Sequence, residues 1–314
     1  MTKHRLIAYT LRALLTCITA LSGCTSVTSE TLSESEINEI QARVQEHHPD
    51  LSWSQKEAVT DLVVRALDNM VFVEGGSFMM GEFGWPCEPG SEQLCNIDIW
   101  PHNDHLHKVT LNDYYLSKYE TNLGDFDLYR EIMGREPYAP ELRAREDRKH
   151  LFEPNLPAWT KTWQEAKDYC LWIGELADRN IDLPTEAQWE FAARNRGEKV
   201  RVATNNGEWL PGENTPPNDG MRRLYPVDSF PPNPLGMHHM TSNSAEWVND
   251  WYSETYYQES PENNPTGPET GEAKVVRSGG FRTGASSKTT ILRDSRPPVE
   301  KFYYEAQGFR CGQR

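Results

Sequence analysis

The 314-residue chain carries 47 Asp and Glu against 32 Lys and Arg, a formal charge of −15, and such a field disfavours nucleic acid and anionic lipid while favouring solubility or basic partners. Ten Trp, thirteen Tyr and ten Phe supply ample core material, whereas 21 Gly with 21 Pro and a mean hydropathy of −0.73 point to a loop-rich architecture. The length suits one large domain with at most a small extension.

Lys3, Arg5 and Arg12 precede an apolar run, Ala13 to Leu21, that leads into Ser22-Gly23-Cys24. The run is shorter than the roughly 20 residues of a spanning helix, and small residues before a cysteine form a lipobox, so residues 1–23 read as a lipoprotein signal peptide. Cutting there makes Cys24 the first residue, and the mature chain is three charges more negative. Palmitate-type acylation of Cys24 anchors the protein stably, since one chain binds marginally and two or more hold. Thr25 stands where an aspartate retains a lipoprotein at the inner membrane by enterobacterial analogy, which places the protein at the outer membrane, facing the periplasm.

Residues 24–32, rich in Ser and Thr, read as a flexible tether, and residues 33–69 as a helical hairpin. Ser33 with Glu36 makes a capping box, after which Ile37, Ile40 and Val44 recur at helical spacing, and His47-His48-Pro49-Asp50 ends the run. A second helix is predicted from about Ser54 to Asn69, with Ala58, Val59, Leu62, Val63 and Ala66 on one face. Adjacent histidines point to different helix faces, so His47 and His48 read as a solvated helix end. At Met70 the pattern changes to a strand, a glycine turn and a second short strand ending at Gly81, which opens the main domain, residues 70–314. Thr185 with Gln188 is another capping box behind Pro184, and Trp163, Ala166, Tyr169, Cys170 and Trp172 lie at helical spacing. No period of 20 to 50 residues repeats.

Several strings in this order carry a resemblance. They are Met70-Val71-Phe72-Val73-Glu74-Gly75-Gly76-Ser77-Phe78-Met79-Met80-Gly81; Val109-Thr110-Leu111 through Tyr119-Glu120; Trp163 through Trp172; and Leu183-Pro184-Thr185-Glu186-Ala187-Gln188-Trp189-Glu190. Pro231 to Met237, Asn243, Glu246-Trp247, Asp250-Trp251, Arg277-Ser278-Gly279-Gly280 and Gly308-Phe309-Arg310-Cys311 complete the set. Over residues 70 to 314 the chain resembles the formylglycine-generating enzyme, or sulfatase-modifying factor, family. The resemblance implies a C-type-lectin-like α+β fold.

Beyond the lipidated Cys24, Cys87, Cys95, Cys170 and Cys311 remain for an oxidising compartment, and four cysteines allow three pairings. Cys87 and Cys95 share one short hydrophilic loop, whose closure costs little entropy. The family pairing implies a bridge between Cys170 and Cys311, which leaves Cys87 to Cys95.

Family enzymes oxidise a sulfatase cysteine to formylglycine with two cysteines that hold copper, and soft thiolates suit Cu(I). Residues 279–290 contain no cysteine, and counting from the glycines puts the family serine at Phe281 and the two cysteines at Gly284 and Thr289. These positions are degenerate, no catalytic residue is assigned, and copper is not expected. A related branch holds iron with three histidines, two of them in a helical module larger than the leader here. His102, His105 and His107 form the densest histidine cluster and read as a solvated loop before a strand.

The family also binds structural calcium. Matched residue by residue, Glu246 supplies its carboxylate and Ser242 and Ser244 main-chain carbonyls, while His239 replaces an asparagine. The second calcium site falls somewhere in residues 203–219, and Asp182 replaces a family arginine. Two functions follow from the resemblance. One is a non-catalytic accessory module that binds a periplasmic or envelope protein, like family domains in secretion-system regulators or immunity proteins. The other is an enzyme of altered metal chemistry using Glu246, Asp250 or the histidine cluster.

Overall fold

A computed structural model describes residues 27–97, 105–219, 223–281, 288–299 and 307–314; Cys24, with the whole signal segment, lies outside them. Two helices open the fold, α1 (Glu34–His47) and α2 (Trp53–Asp68). Each begins with a reciprocal capping box, Ser33 with Glu36 and Ser52 with Gln55, which satisfies the first exposed backbone N–H groups. The second box starts α2 at Trp53, one residue before the expected Ser54.

The apolar stripes of both helices, Ile37, Ile40 and Val44 with Val59, Leu62 and Val63, pack with α5 (Trp163–Ala177) into one core. The hairpin is thereby built into the domain rather than placed ahead of it. His48 is tied into this seam, because Trp172 Nε1 donates to its Nε2 at 3.0 Å, and His47 Nδ1 lies 3.2 Å from Glu175. His48 is therefore a packed contact, whereas His47 stays exposed at the helix end as expected.

Residues 29–31, read above as tether, are pinned to Asp68 at the end of α2. Ser29 Oγ donates at 2.5 Å and Thr31 Oγ1 at 2.6 Å, and the Glu30 and Thr31 amides also point at the carboxylate. Burial raises the Asp68 pKa, but the hydrogen bonds from Ser29 and Thr31 outweigh it and hold the group below its ordinary value. Val27 and Leu32 pack against the hairpin core.

The strands are short. β1 (Met70–Val73) and β2 (Gly76–Met80) do not pair with each other, and their partners are β6 (Tyr114–Ser117) and β5 (His107–Leu111). The change of sheet occurs at Gly75, where a Cβ would meet the Leu111 carbonyl at 2.3 Å, so only glycine fits. A small hairpin of β3 (Trp85–Pro86) and β4 (Leu94–Cys95) is closed by the Cys87–Cys95 disulfide. Helices α3 (Leu123–Ile132), α4 (Pro140–Arg143) and α6 (Glu186–Ala193), strand β7 (Ile181–Asp182) and helix α7 (Tyr256–Glu259) complete the frame around β8 (Glu246–Trp251), β9 (Lys274–Arg277) and β10 (Arg293–Arg296).

The C-terminus stitches the two larger sheets together. β11 (Gly308–Phe309) adds parallel to β8 in the sheet β10-β9-β8-β11, and β12 (Gly312–Gln313) enters between β6 and β7 in the sheet β1-β6-β12-β7. The two residues between them turn inward, Arg310 towards Glu246 and Cys311 into a disulfide with Cys170. Among the described residues no helix is long and apolar enough to cross a membrane.

Candidate functional site

Glu246 heads β8 beside the crossing C-terminal strand, and this geometry decides its chemistry. Arg310 Nε donates to Oε2 at 2.8 Å and Nη2 to Oε1 at 2.7 Å, a two-point ion pair with both side chains fully buried. Trp189 Nε1 adds a third donor to Oε2 at 2.9 Å. Glu120 lies next to this pair and accepts from the Ser244 amide at 2.8 Å and Asn243 Nδ2 at 2.6 Å. Burial, and then the neighbouring Glu246, push the Glu120 carboxyl well above the usual carboxylate range.

This arrangement corrects the calcium expectation for Ser242, Ser244 and Glu246. Calcium requires six to eight hard oxygens, yet both Glu246 oxygens are taken by a guanidinium that would repel a dication. The Ser242 carbonyl accepts from Ser278 Oγ at 3.3 Å, and the Ser244 hydroxyl accepts from the Gly308 amide at 3.0 Å. The Glu246 carboxylate is thus a neutralised internal anchor that does not fit the ion. His239, at the position expected to replace an asparagine, is buried with φ 57° and places Nδ1 2.9 Å from Ser242 Oγ. Burial, with His238 and Arg310 nearby, pulls its pKa down to about 3, so it is too weak a base to activate that serine.

A second buried charge layer lies under α6. Glu186 accepts from Arg277 Nη1 at 2.9 Å, Arg293 Nε at 2.8 Å and the Tyr257 hydroxyl at 2.9 Å, while Glu190 binds Arg277 Nη2 and Arg194 Nη1. Asp250 Oδ2 accepts the Glu186 amide at 2.8 Å, and burial together with the Glu186 charge raises its pKa to about 7. Gly267 closes over it, since a Cβ there would meet the Asp250 Cβ at 2.7 Å. Glu246 and Asp250, the carboxylates of the altered-chemistry reading, are 0% and 2% exposed, which leaves them no substrate access.

The β9–β10 connection carries the glycine turn and the degenerate positions. Ser278 and Gly280 both have positive φ, Phe281 follows half-buried, and Gly284 lies outside the described residues. Thr289 is fully buried with its hydroxyl unpartnered, and the next residue fastens the return strand: Arg277 Nη2 donates to the Thr290 carbonyl at 2.6 Å.

The histidine cluster is only partly as expected: His105 is exposed in the loop before β5. His102 lies outside the described residues; His107 is the first residue of β5 and half-buried, its ring 4.6 Å from Tyr257. Burial lowers its pKa, so it is a packed strand residue and not part of a solvated loop. Among the described residues no three His, Cys, Asp or Glu side chains are grouped to hold a metal. Cys170 and Cys311 are joined with Cα atoms 5.5 Å apart. Asp182 pairs with Lys167 at 2.6 Å, and Lys167 reaches on to Asn249, which explains an acid at that position. In residues 203–219, the Asn214 amide donates to Asn205 Oδ1, Asn206 Oδ1 and the Glu208 carbonyl, so those oxygens already share an internal donor.

The family model for the sulfatase-modifying factor enzyme 1-like domain matches residues 55–314 and begins inside α2. The chain is 39% identical over 141 residues to the formylglycine-generating enzyme of Streptomyces coelicolor, covering 41% of this chain and 43% of that protein. It is 30% identical over 264 residues to the serine/threonine-protein kinase pkn1 of Chlamydia pneumoniae, covering 79% of this chain and 38% of the kinase. The chain thus spans less than half the length of either protein. Similarity of 27% over 222 residues links it to the inactive C-alpha-formylglycine-generating enzyme 2 of Mus musculus, covering 58% of this chain and 69% of that one. In fold it is similar to PvdO from Pseudomonas aeruginosa, with a TM-score of 0.61 at 23% identity over 78% of this chain and 94% of that one.

Proposed function

Because the chain belongs to the sulfatase-modifying factor enzyme 1-like family, we propose that it is a non-catalytic member that binds a protein partner, anchored by lipid at the periplasmic face of the outer membrane. The observation that carries this reading is the thiol-free stretch 279–290. Phe281, Gly284 and Thr289 stand where the family chemistry would need a small serine and two cysteines. Cys87, Cys95, Cys170 and Cys311 are all in disulfides and supply no thiolate, so the donor set does not fit Cu(I). Similarity to a mouse relative whose name calls it inactive supports the reading. The lipobox Leu21-Ser22-Gly23-Cys24 supports the anchor, and the strongly acidic surface suits an envelope protein partner rather than nucleic acid.

A Cu(I) titration of the purified chain against a coloured Cu(I) chelator tests it. The chelator should keep its metal. Withdrawal of one copper per chain at sub-nanomolar free copper would overturn the reading.

A further inference from the structure

A groove of about 560 Å³ runs between the disulfide-closed β3–β4 hairpin and the loop at 207–210. Trp85, 37% exposed, forms one wall and Trp209 with Leu210 another. Arg201 lines it partly buried, with its Nε atom out of solvent and without any hydrogen-bond partner. Among the described residues no acidic side chain pairs with Arg201, although the chain has a large excess of acids. Lys288 lies over the Trp209 ring with its Nζ 4.8 Å from the centroid, and the one carboxylate in the lining is Glu208. A guanidinium part-way out of water with no counter-charge is costly unless something supplies one.

We infer that this groove is a docking site for a partner-protein segment that places an acidic side chain against Arg201 and an aromatic or large aliphatic neighbour between Trp85 and Trp209. The charges favour that occupant: inside the aromatic walls Arg201 has no counter-charge, Lys288 adds a second cation on the Trp209 ring that forms one of those walls, and the net negative charge of the rest of the molecule repels acidic peptides elsewhere. Arg201 also anchors the return strand, since its carbonyl accepts the Thr290 amide at 2.9 Å. The groove therefore borders the Thr289 position, and its role rests on the reading of the chain as a non-catalytic protein-binding module.

The test uses the full detergent-solubilised chain and a fluorescent series of end-blocked pentapeptides with Glu or Asp beside Phe, Tyr, Trp or Leu. Matched Gln or Asn peptides and versions with a free C-terminal carboxylate run in parallel, read by anisotropy. The expected result is selective binding of the blocked acidic peptides that weakens with salt, loses about tenfold or more in affinity in Arg201→Gln, and is partly kept in Arg201→Lys. Equal binding of acidic and amide peptides, binding only through a free C-terminus, or no binding at all would overturn the inference. Those results leave the non-catalytic reading standing, because its own failure is read separately as copper uptake or formylglycine formation.

Discussion

Arg310 and Glu246, 64 residues apart in sequence, meet through two parallel hydrogen bonds in a layer with no solvent access. The pair forms because β11 is laid parallel to β8, with Gly308 opposite Glu246, so the residue after Phe309 can only turn into the core. Removing one partner strands the other. Arg310→Met should therefore cost on the order of 3–5 kcal/mol, and the double variant with Glu246→Gln should recover part of that loss. Denaturant unfolding decides it. If added calcium restored the stability of Arg310→Met, Glu246 would be a metal ligand after all.

The Cys170–Cys311 disulfide closes a span of 141 residues and ties the final strand to α5. Cys311→Ser should lower stability by about 3–5 kcal/mol in the chain-entropy picture, whereas Cys87→Ser, which opens a span of 8, should cost less. Thermal melts of the two variants provide the comparison, and equal losses would contradict it.

Asp250 makes stability depend on pH in the direction opposite to an ion-paired carboxylate. Its pKa rises from 3.8 to about 7 on folding, so the folded chain holds the extra proton across that window. The stabilisation is present below the unfolded value and is lost as pH rises through about 7. Asp250→Asn, whose amide oxygen can still accept the Glu186 N–H, should flatten this fall and be the more stable form at pH 8, by an amount on the order of a few kcal/mol. His239 acts in the other sense: its pKa drops from 6.5 to about 3, so its contribution is lost as pH falls below 6.5. Unfolding curves of Asp250→Asn and of the unsubstituted chain from pH 4 to 8 separate the two contributions, since the loss on the acid side from His239 remains in the variant.

Asp68→Ala should release residues 29–31 from the end of α2 and make the segment before Ser33 sensitive to protease, with little change in melting temperature. With the clasp closed, four residues lie between Cys24 and Ser29, and the five chain steps reach at most about 17 Å. Cys24→Ser should move the protein into the soluble fraction or leave its signal uncut. Unchanged membrane retention of that variant would remove the lipid anchor from the proposal.

Local chemistry was legible in the sequence wherever the partners lie within a helical turn. Ser33 with Glu36 and Thr185 with Gln188 start helices where the pattern places them, and Val59, Leu62 and Val63 face inward as their spacing requires. Partners distant in sequence were not legible. Arg277 and Arg293 reach Glu186 over 91 and 107 residues, and no periodicity announces that. For the same reason the motif around Glu246 reads as a metal site until Arg310 is seen to occupy its carboxylate. Asp68 was missed because its ligands, Ser29 and Thr31, sit in a stretch whose composition resembles a linker.

The most direct measurement follows the mass of a sulfatase-type Cys-x-Pro-x-Arg peptide incubated with the full chain, copper and oxygen, beside a control without protein. With no thiol between residues 279 and 290 to bind copper, the peptide cysteine should remain a thiol, and an aldehyde-specific probe should capture nothing above the control. Accumulation of the aldehyde in proportion to the amount of chain added would contradict the non-catalytic proposal and establish an enzyme.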